Sequence, residues 1–172
     1  GKNDIFTGNA GGDFYGESKP LNDVVYYKKD SFFIKSILKN EFENTSVIKP
    51  FDFDTDGDLD VFVGSNTVSY DFGAIPNSFI LKNENGKFEA LKNLELQKAG
   101  MVTDAIWTDF TNDGTKDLIV VGEWMSPKFF SNLNGNFKEV FPSEEKLNGL
   151  WRSITEFDID GDGDNDYLLG NW

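Results

Sequence analysis

Short apolar runs recur along the chain in a fixed order, separated by polar loops and asparagine–glycine turns. Val24-Val25-Tyr26-Tyr27 and Phe32-Phe33-Ile34 flank a turn at Lys28–Ser31 and predict a hairpin. A connection from Glu41 to Ser46 leads to a strand from Val47 to Phe53, a polar loop, and the apolar run Val61-Phe62-Val63. After a long loop from Ser65 to Pro76, Ser78–Lys82 and Lys87–Leu91 form a second hairpin around Asn83-Glu84-Asn85-Gly86. Asn-Gly between two such runs is a strong hairpin signal.

The same order follows again. Met101 to Phe110 predicts a strand, then comes a loop over 109–117 and a strand over 118–124. Lys128–Ser131 and Asn136–Val140 form a hairpin around Asn132–Gly135, and Leu150–Phe157 leads through another loop to Tyr167-Leu168-Leu169. At the start, Asp4-Ile5-Phe6-Thr7-Gly8 matches the tail of the loop and the strand after it, followed by a long polar loop from Asn9 to Asn22. Only Glu89 to Lys98 hints at a helical turn.

Aligned on Asp4, Asp60, Asp117 and Asp166, the units repeat at intervals of 56, 57 and 49 residues. A period near 50 with four short strands per unit is the signature of a β-propeller array. The expected fold is all-β, in blades of four antiparallel strands. Residues 1–44 form a partial blade, 45–98 and 100–142 full blades, and 148–172 a second partial blade, about three blades' worth.

The loops before three of these strands carry the chemistry. The first reads Asp52-Phe53-Asp54-Thr55-Asp56-Gly57-Asp58-Leu59-Asp60, and the last repeats it as Asp158, Asp160, Asp162, Asp164 and Asp166. The middle loop keeps Asp109, Asp113 and Asp117 but has Thr111 at position 3 and Thr115 at position 7. Net charge is −14, yet these three loops hold 13 of the 30 acidic residues and only one of the 16 basic ones. The acidity is local, so it points to bound cations rather than to a disordered acidic chain, and nucleic acid is excluded as a partner.

Positions 1, 3, 5 and 9 offer side-chain oxygens, position 7 a backbone carbonyl, and glycine at position 6 permits the sharp turn. Hard oxygen donors in a flexible loop suit Ca²⁺ better than Mg²⁺. Two strong sites (Asp52, Asp54, Asp56, Asp58, Asp60 and Asp158, Asp160, Asp162, Asp164, Asp166) and one weaker site (Asp109, Thr111, Asp113, Thr115, Asp117) are expected. An EF-hand would need Glu at position 12 and flanking helices; position 12 here is Val63, Val120 or Leu169, in β-like runs. A bland acidic turn without an ion is the alternative for one copy, but copies in equal phase argue against it. Carboxylate pairs also serve glycosidases, yet Asp runs repeated once per unit read as structural.

Histidine and cysteine are absent, which removes disulfides, thiolate metal sites and the usual general base. No run is long enough to span a membrane.

The motif D-x-D-x-D-G-x-x-D followed by an apolar strand and Gly resembles the FG-GAP/VCBS repeat of integrin-α-like propellers and many bacterial surface proteins. Gly100–Phe110 and Asp117–Met125 are similar to stretches of the cartilage-acidic-protein-like group associated with ASPIC/UnbV domains. The resemblance covers nearly all of 45–172 and, more loosely, 1–44. It implies a propeller of usually seven blades with Ca²⁺ between the first two strands of a blade, and an extracellular, cell-surface or periplasmic place in a bacterium. A closed seven-unit ring needs roughly 350 residues, so the chain reads as a piece of a larger propeller, with self-association through open blade edges.

The expected function is a non-catalytic, calcium-stabilised module that binds a protein or glycan; the alternative is a scaffold within a larger polysaccharide-acting enzyme. The loops 9–22 and 65–77, with Phe14, Tyr15, Tyr70 and Phe72, are the expected recognition surface, against the alternative of tolerated insertions. Trp124 and Trp172 follow the strand-ending glycines and are expected to pack between blades, against the alternative of a sugar platform. Asn44-Thr45-Ser46 fits a glycosylation sequon.

Overall fold

The structure is a computed structural model that describes residues 3–38, 42–140 and 147–172. It contains β1 (Ile5–Thr7), β2 (Val24–Lys29), β3 (Phe32–Ile37), β4 (Asn44–Phe51), β5 (Asp60–Thr67), β6 (Phe79–Glu84) and β7 (Lys87–Ala90). After the single turn α1 (Leu94–Gln97) come β8 (Met101–Thr108), β9 (Asp117–Met125), β10 (Lys128–Leu133), β11 (Asn136–Val140), β12 (Gly149–Phe157) and β13 (Asp166–Asn171). The fold is all-β and every strand pairing is antiparallel.

The strands form meanders in chain order: β1-β2-β3, β4-β5-β6-β7, and β8-β9-β10-β11, with β12-β13 joined to β9. That last junction was not expected. Gly149 and Leu150 pair with Met125 and Glu123 at the far end of β9. Strand β4 begins at Asn44, inside the stretch expected to be a connection. Glu41, the start of that connection, and 141–142, the end of the second full unit, lie outside the described residues.

Burial explains why the second strand of each complete meander is apolar throughout. Val61 and Val63 of β5 pack with Val25 and Leu38, while Phe62 between them packs with Val102, Leu118 and Phe130. In β9, Leu118 and Val120 face that second cluster and Ile119 and Val121 face Ile154. Each second strand is therefore sandwiched between neighbouring sheets. The two-residue period normally hides one face; here both faces are hidden.

Gly64 ends one such run. A Cβ there would stand 2.5 Å from Val47 Cγ1 and 2.7 Å from Val102 Cγ1, so glycine permits the close approach of the next sheet. The hairpin turns are short and left-handed. Asn85 and Gly86 have φ of 54° and 83°, and Asn134 and Gly135 have 54° and 82°, as a two-residue turn with φ positive at both centres requires.

The first strand of each later sheet has a bulge at one phase, at Ser46, Thr103 and Arg152. The bulge turns a side chain toward the neighbouring sheet. Ser46 Oγ donates to the Val102 carbonyl (2.6 Å), and Thr103 Oγ1 donates to the Trp151 carbonyl (2.6 Å). At the third position the Arg152 guanidinium pairs with Glu123 and lies 5.0 Å from the Trp172 ring centre.

Asp23 ties the first sheet to the second. Its buried carboxylate accepts from the Asn9 N–H (2.8 Å) and from the Thr45 hydroxyl on β4 (2.9 Å). Asn44 sits beside it, buried, its amide donating to the Thr67 carbonyl and to Ser69 Oγ while its carbonyl accepts from the Gly11 N–H. Both donors of the Asn44 amide are thus engaged within the fold.

Burial pushes the Asp23 carboxyl up from 3.8 to about 6, while its hydrogen bonds from Asn9 and Thr45 pull it down. The folded chain therefore holds this proton more tightly than the unfolded chain. The associated stability is fully present below 3.8 and is lost as pH rises through about 6. Denaturant titrations of wild type and Asp23→Asn should show it. Between about pH 5 and pH 7.5, wild type should lose roughly 1–1.5 kcal/mol relative to the variant, and parallel curves would show that Asp23 does not titrate there.

Candidate metal centres

Each aspartate loop joins the first strand of a meander to the second. Its course is set by left-handed residues at two positions. Glycine at position 6 has φ of 95° (Gly57), 88° (Gly114) and 92° (Gly163). Position 4 is also left-handed: Thr55 at 59°, Asn112 at 57° and Gly161 at 77°. A β-branched threonine in that region is strained. The Asp52 carboxylate holds it there by accepting from the N–H groups of Asp56 (3.1 Å) and Gly57 (3.0 Å). Asp109 does the same for Asp113 (3.1 Å) and Gly114 (2.8 Å).

Three carboxylates converge in two of the loops. Ligand oxygens of Asp52, Asp54 and Asp60 lie within 4.8 Å of one another, and so do those of Asp158, Asp160 and Asp166. These are positions 1, 3 and 9. Position 5 lies outside both groups; Asp56 and Asp162 each accept from the N–H two residues on, at 2.9 Å. The position-7 carboxylates act as tethers: Asp58 accepts from the Asn85 N–H (2.7 Å), and Asp164 from the Asn112 amide of the neighbouring loop (3.2 Å).

Among the described residues the middle loop brings no such triad together. There Thr111 donates both its N–H (3.2 Å) and its hydroxyl (3.0 Å) to Asp117. Asp113 accepts from the N–H of Thr115 (2.8 Å), whose own side chain is not drawn in.

Position 9 carries more than sequence spacing suggests. Asp60 and Asp117 are fully buried. Asp60 accepts from Phe53 N–H (3.1 Å) in the loop and from Asn83 N–H (2.8 Å) on the third strand. Asp117 takes the Asn132 N–H (2.8 Å), and Asp4, exposed, takes the Lys28 N–H (2.7 Å), both at the same register. Burial raises the Asp60 pKa above the usual carboxylate range, the two N–H groups oppose this, and Asp54 and Asp56 add to the rise. A cation shared with those carboxylates would favour its charged form.

Lys82 is the residue that loop spacing could not reveal. It lies on β6, next to Asn83, and places Nζ 2.9 Å from Asp54 Oδ2 and 3.3 Å from Glu84. Those hydrogen bonds hold the ammonium protonated to well above its ordinary range. Its register equivalent on β10 is Ser131, one residue before Asn132.

The donor set fits a hard cation. Three carboxylates per group offer oxygen only, with no nitrogen or sulfur donor in the loop.

Trp124 and Trp172, expected between blades, are exposed instead, at 70% and 85%. Trp124 has φ of 59°, which turns it out of the ladder that its neighbour Glu123 still keeps with Met101. Trp107 does pack between sheets, stacked on Phe51 at 5.6 Å with its indole N–H on the Lys49 carbonyl (3.0 Å).

Asn132 is the most connected side chain of this region. Its amide donates to Lys116 O and, across the sheets, to Phe53 O in the first loop, both at 3.1 Å, and its carbonyl accepts from Gly135 N–H (2.7 Å). Asn83 makes the corresponding bonds to Leu59 O and Gly86 N–H in an exposed setting. Asn132→Ala should therefore cost about 3 kcal/mol in chemical denaturation, and Asn83→Ala about 1 kcal/mol; equal costs would mean the bond to Phe53 contributes nothing.

Among the described residues no helix is long and apolar enough to cross a membrane. No curated protein matches the chain. The model of the FG-GAP-like repeat does match, twice, over 52–120 and 109–169, each match beginning at the first aspartate of a loop. Together the matches cover both acidic triads, the middle loop and strands β5 to β12. The chain belongs to the FG-GAP-like repeat family.

Proposed function

We propose that the chain is a calcium-stabilised, non-catalytic repeat module of an extracellular or cell surface, built to present a binding face to a protein or glycan. The observation that carries the calcium reading is the convergence of positions 1, 3 and 9 in two loops at equal repeat phase. Asp52, Asp54 and Asp60 would hold one ion and Asp158, Asp160 and Asp166 another, with Asp56, Asp58, Asp162 and Asp164 completing the loops. The middle loop, with Thr111 in place of a carboxylate, is the weaker site. The ion's part is to neutralise clustered charge where two strands of a blade turn back on each other. Extracellular millimolar Ca²⁺ would fill such sites, whose affinities in extracellular modules run at about 10⁻⁴–10⁻³ M.

The family match supports a repeat module concerned with binding. The non-catalytic reading rests on the family match and on the recurrence of the carboxylate loop once per unit, tied by hydrogen bonds to the loops and adjoining strands, which marks it as part of the scaffold.

Thermal unfolding tests the metal. Saturating Ca²⁺ should raise the melting temperature by several degrees, since a hundredfold excess over Kd contributes about 2.7 kcal/mol per site. Chelator should lower it, and Asp54→Asn and Asp160→Asn should each remove part of the shift. A melting curve indifferent to both Ca²⁺ and chelator would end the reading.

Lys82 gives a second, local prediction. Its ammonium competes for Asp54, so Lys82→Gln should tighten Ca²⁺ binding at the first loop by roughly threefold or more at low salt, and by less at high salt. Calorimetric titration reads the change; a weaker or unaltered first site would show that Lys82 does not oppose the ion.

A further inference from the structure

The end of the sheets opposite the aspartate loops holds a second feature. In each meander the connection between second and third strands lies there, since the aspartate loop and the hairpin turn share the other end. Two of these connections, 9–22 and 65–77, touch: Ser69 Oγ donates to the Gly11 carbonyl (3.3 Å), and Tyr15 meets Tyr70 edge to face at 5.5 Å. A cleft of about 400 Å³ is lined by Gly12 of the first connection, Thr67–Gly73 of the second and Met101 of the next sheet.

The exposure of these rings is unusual for side chains of their size. Tyr15, Tyr70 and Phe72 are 68%, 76% and 91% exposed. Tyr70 is also held at φ of 63°, a strained conformation for an aromatic residue. Beyond the Met101 wall, Glu123 is the register partner of Met101, and the next residue, Trp124, is again exposed and left-handed at 59°. Trp124, inside β9, thus adds an exposed ring on the next sheet to those of the 65–77 loop.

We propose that this cleft binds a neutral carbohydrate chain, with Tyr70 and Phe72 as stacking platforms and Asp71 and Thr67 as hydrogen-bonding groups. The inference deepens the reading of the chain as a binding module and rests on it. Three observations select this class of ligand. The lining has no lysine or arginine, and its one charge is the Asp71 carboxylate, so an anionic ligand would be repelled. The loop also uses its own backbone. Asp71 N–H bonds to Val68 O and Ala74 N–H to Asp71 O, both at 3.2 Å, and Val68 and Asp71 form a bridge. The loop thus turns on itself with a single isolated bridge, and has no strand to extend by β-addition of a peptide. What remains are aromatic faces with carboxylate and hydroxyl oxygens in a cleft at the lower end of ligand-site volumes, about 300–1,000 Å³. The apolar C–H face of a pyranose suits the rings and its vicinal hydroxyls suit a carboxylate.

Calorimetric titration of the full chain in Ca²⁺ with neutral cello-, manno-, xylo-, galacto- and N-acetylchito-oligosaccharides tests this. At least one series should bind, and Tyr70→Ala and Phe72→Ala should each weaken it about tenfold or more. Asp71→Asn should weaken it less. The melting temperature should stay put in both ring variants, because the rings are exposed, and Trp124→Ala should affect only the longer oligosaccharides. Absence of binding by all five series at millimolar concentration would overturn the proposal. So would binding that survives both ring substitutions, or a lysine-rich peptide binding through these residues while the sugars do not. Loss of the calcium-dependent melting shift with sugar binding intact would sink the calcium reading and leave this one standing.

Discussion

A buried carboxylate at the start of the second strand, at Asp60 and Asp117, is the interaction on which the rest of this molecule depends. Asp60 and Asp117 are removed from water, and each spends one oxygen on the loop behind it and the other on the third strand beside it. Burying an ionised group is costly unless it is hydrogen-bonded or paired with opposite charge. The hydrogen bonds supply part of that compensation. In the first loop Asp52 and Asp54 crowd the same point, which makes the charge problem worse and makes a cation there effective. Lys82 supplies one positive charge from the protein itself. Fold and candidate metal centre are thus one structure. The loop cannot close on the strand without bringing the carboxylates together.

From that point the array is assembled by contacts that reach from one sheet to the next. Ser46 and Thr103 give hydroxyl protons to carbonyls of the following sheet, and Trp107 gives its indole N–H to the preceding one. Asp104 does both, pairing with Lys49 behind it (2.8 Å) and accepting from Ile154 N–H ahead (3.0 Å). Apolar burial on both faces of β5 and β9 supplies the driving force, at about 25 cal/mol per Å² of apolar surface. The polar links fix the register, because a shifted sheet would leave them buried and unpaired. A single meander alone would leave both of these faces uncovered, which is why such units occur in arrays.

Most of this order was legible in the residues. Spacing between aspartates gave the repeat, Asn-Gly pairs placed two hairpins, and Asn93 caps the one short helical turn in the stretch where helix was expected. What escaped had physical reasons. Nothing in Thr55 or Asn112 announces a left-handed backbone, since that conformation is imposed by the Asp52 and Asp109 carboxylates. Lys82 is 28 residues from Asp54 along the chain and becomes its neighbour only through the β5–β6 register. Recurrence of Trp124 and Trp172 at one phase suggested packing, but phase says only that a position is equivalent. Which way its side chain faces was decided by the positive φ at Trp124 and by Arg152 over Trp172.

The two ends of the sheets follow opposite rules, and the difference bears on function. At the aspartate end the three loops share one course, left-handed at positions 4 and 6, with carboxylates turned onto backbone N–H groups. At the other end the connections differ in length and sequence, and their large rings point to solvent. Strain appears at both ends, but with different consequences. At Thr55 it lets carboxylates meet, and at Tyr70 and Trp124 it turns aromatic surface outward against the hydrophobic preference for burial. A fold that spends conformational strain to expose rings gains no stability from doing so. Tyr70 meets Tyr15 edge to face, and the exposed faces of Tyr70 and Phe72 are the surface that the proposed carbohydrate would cover.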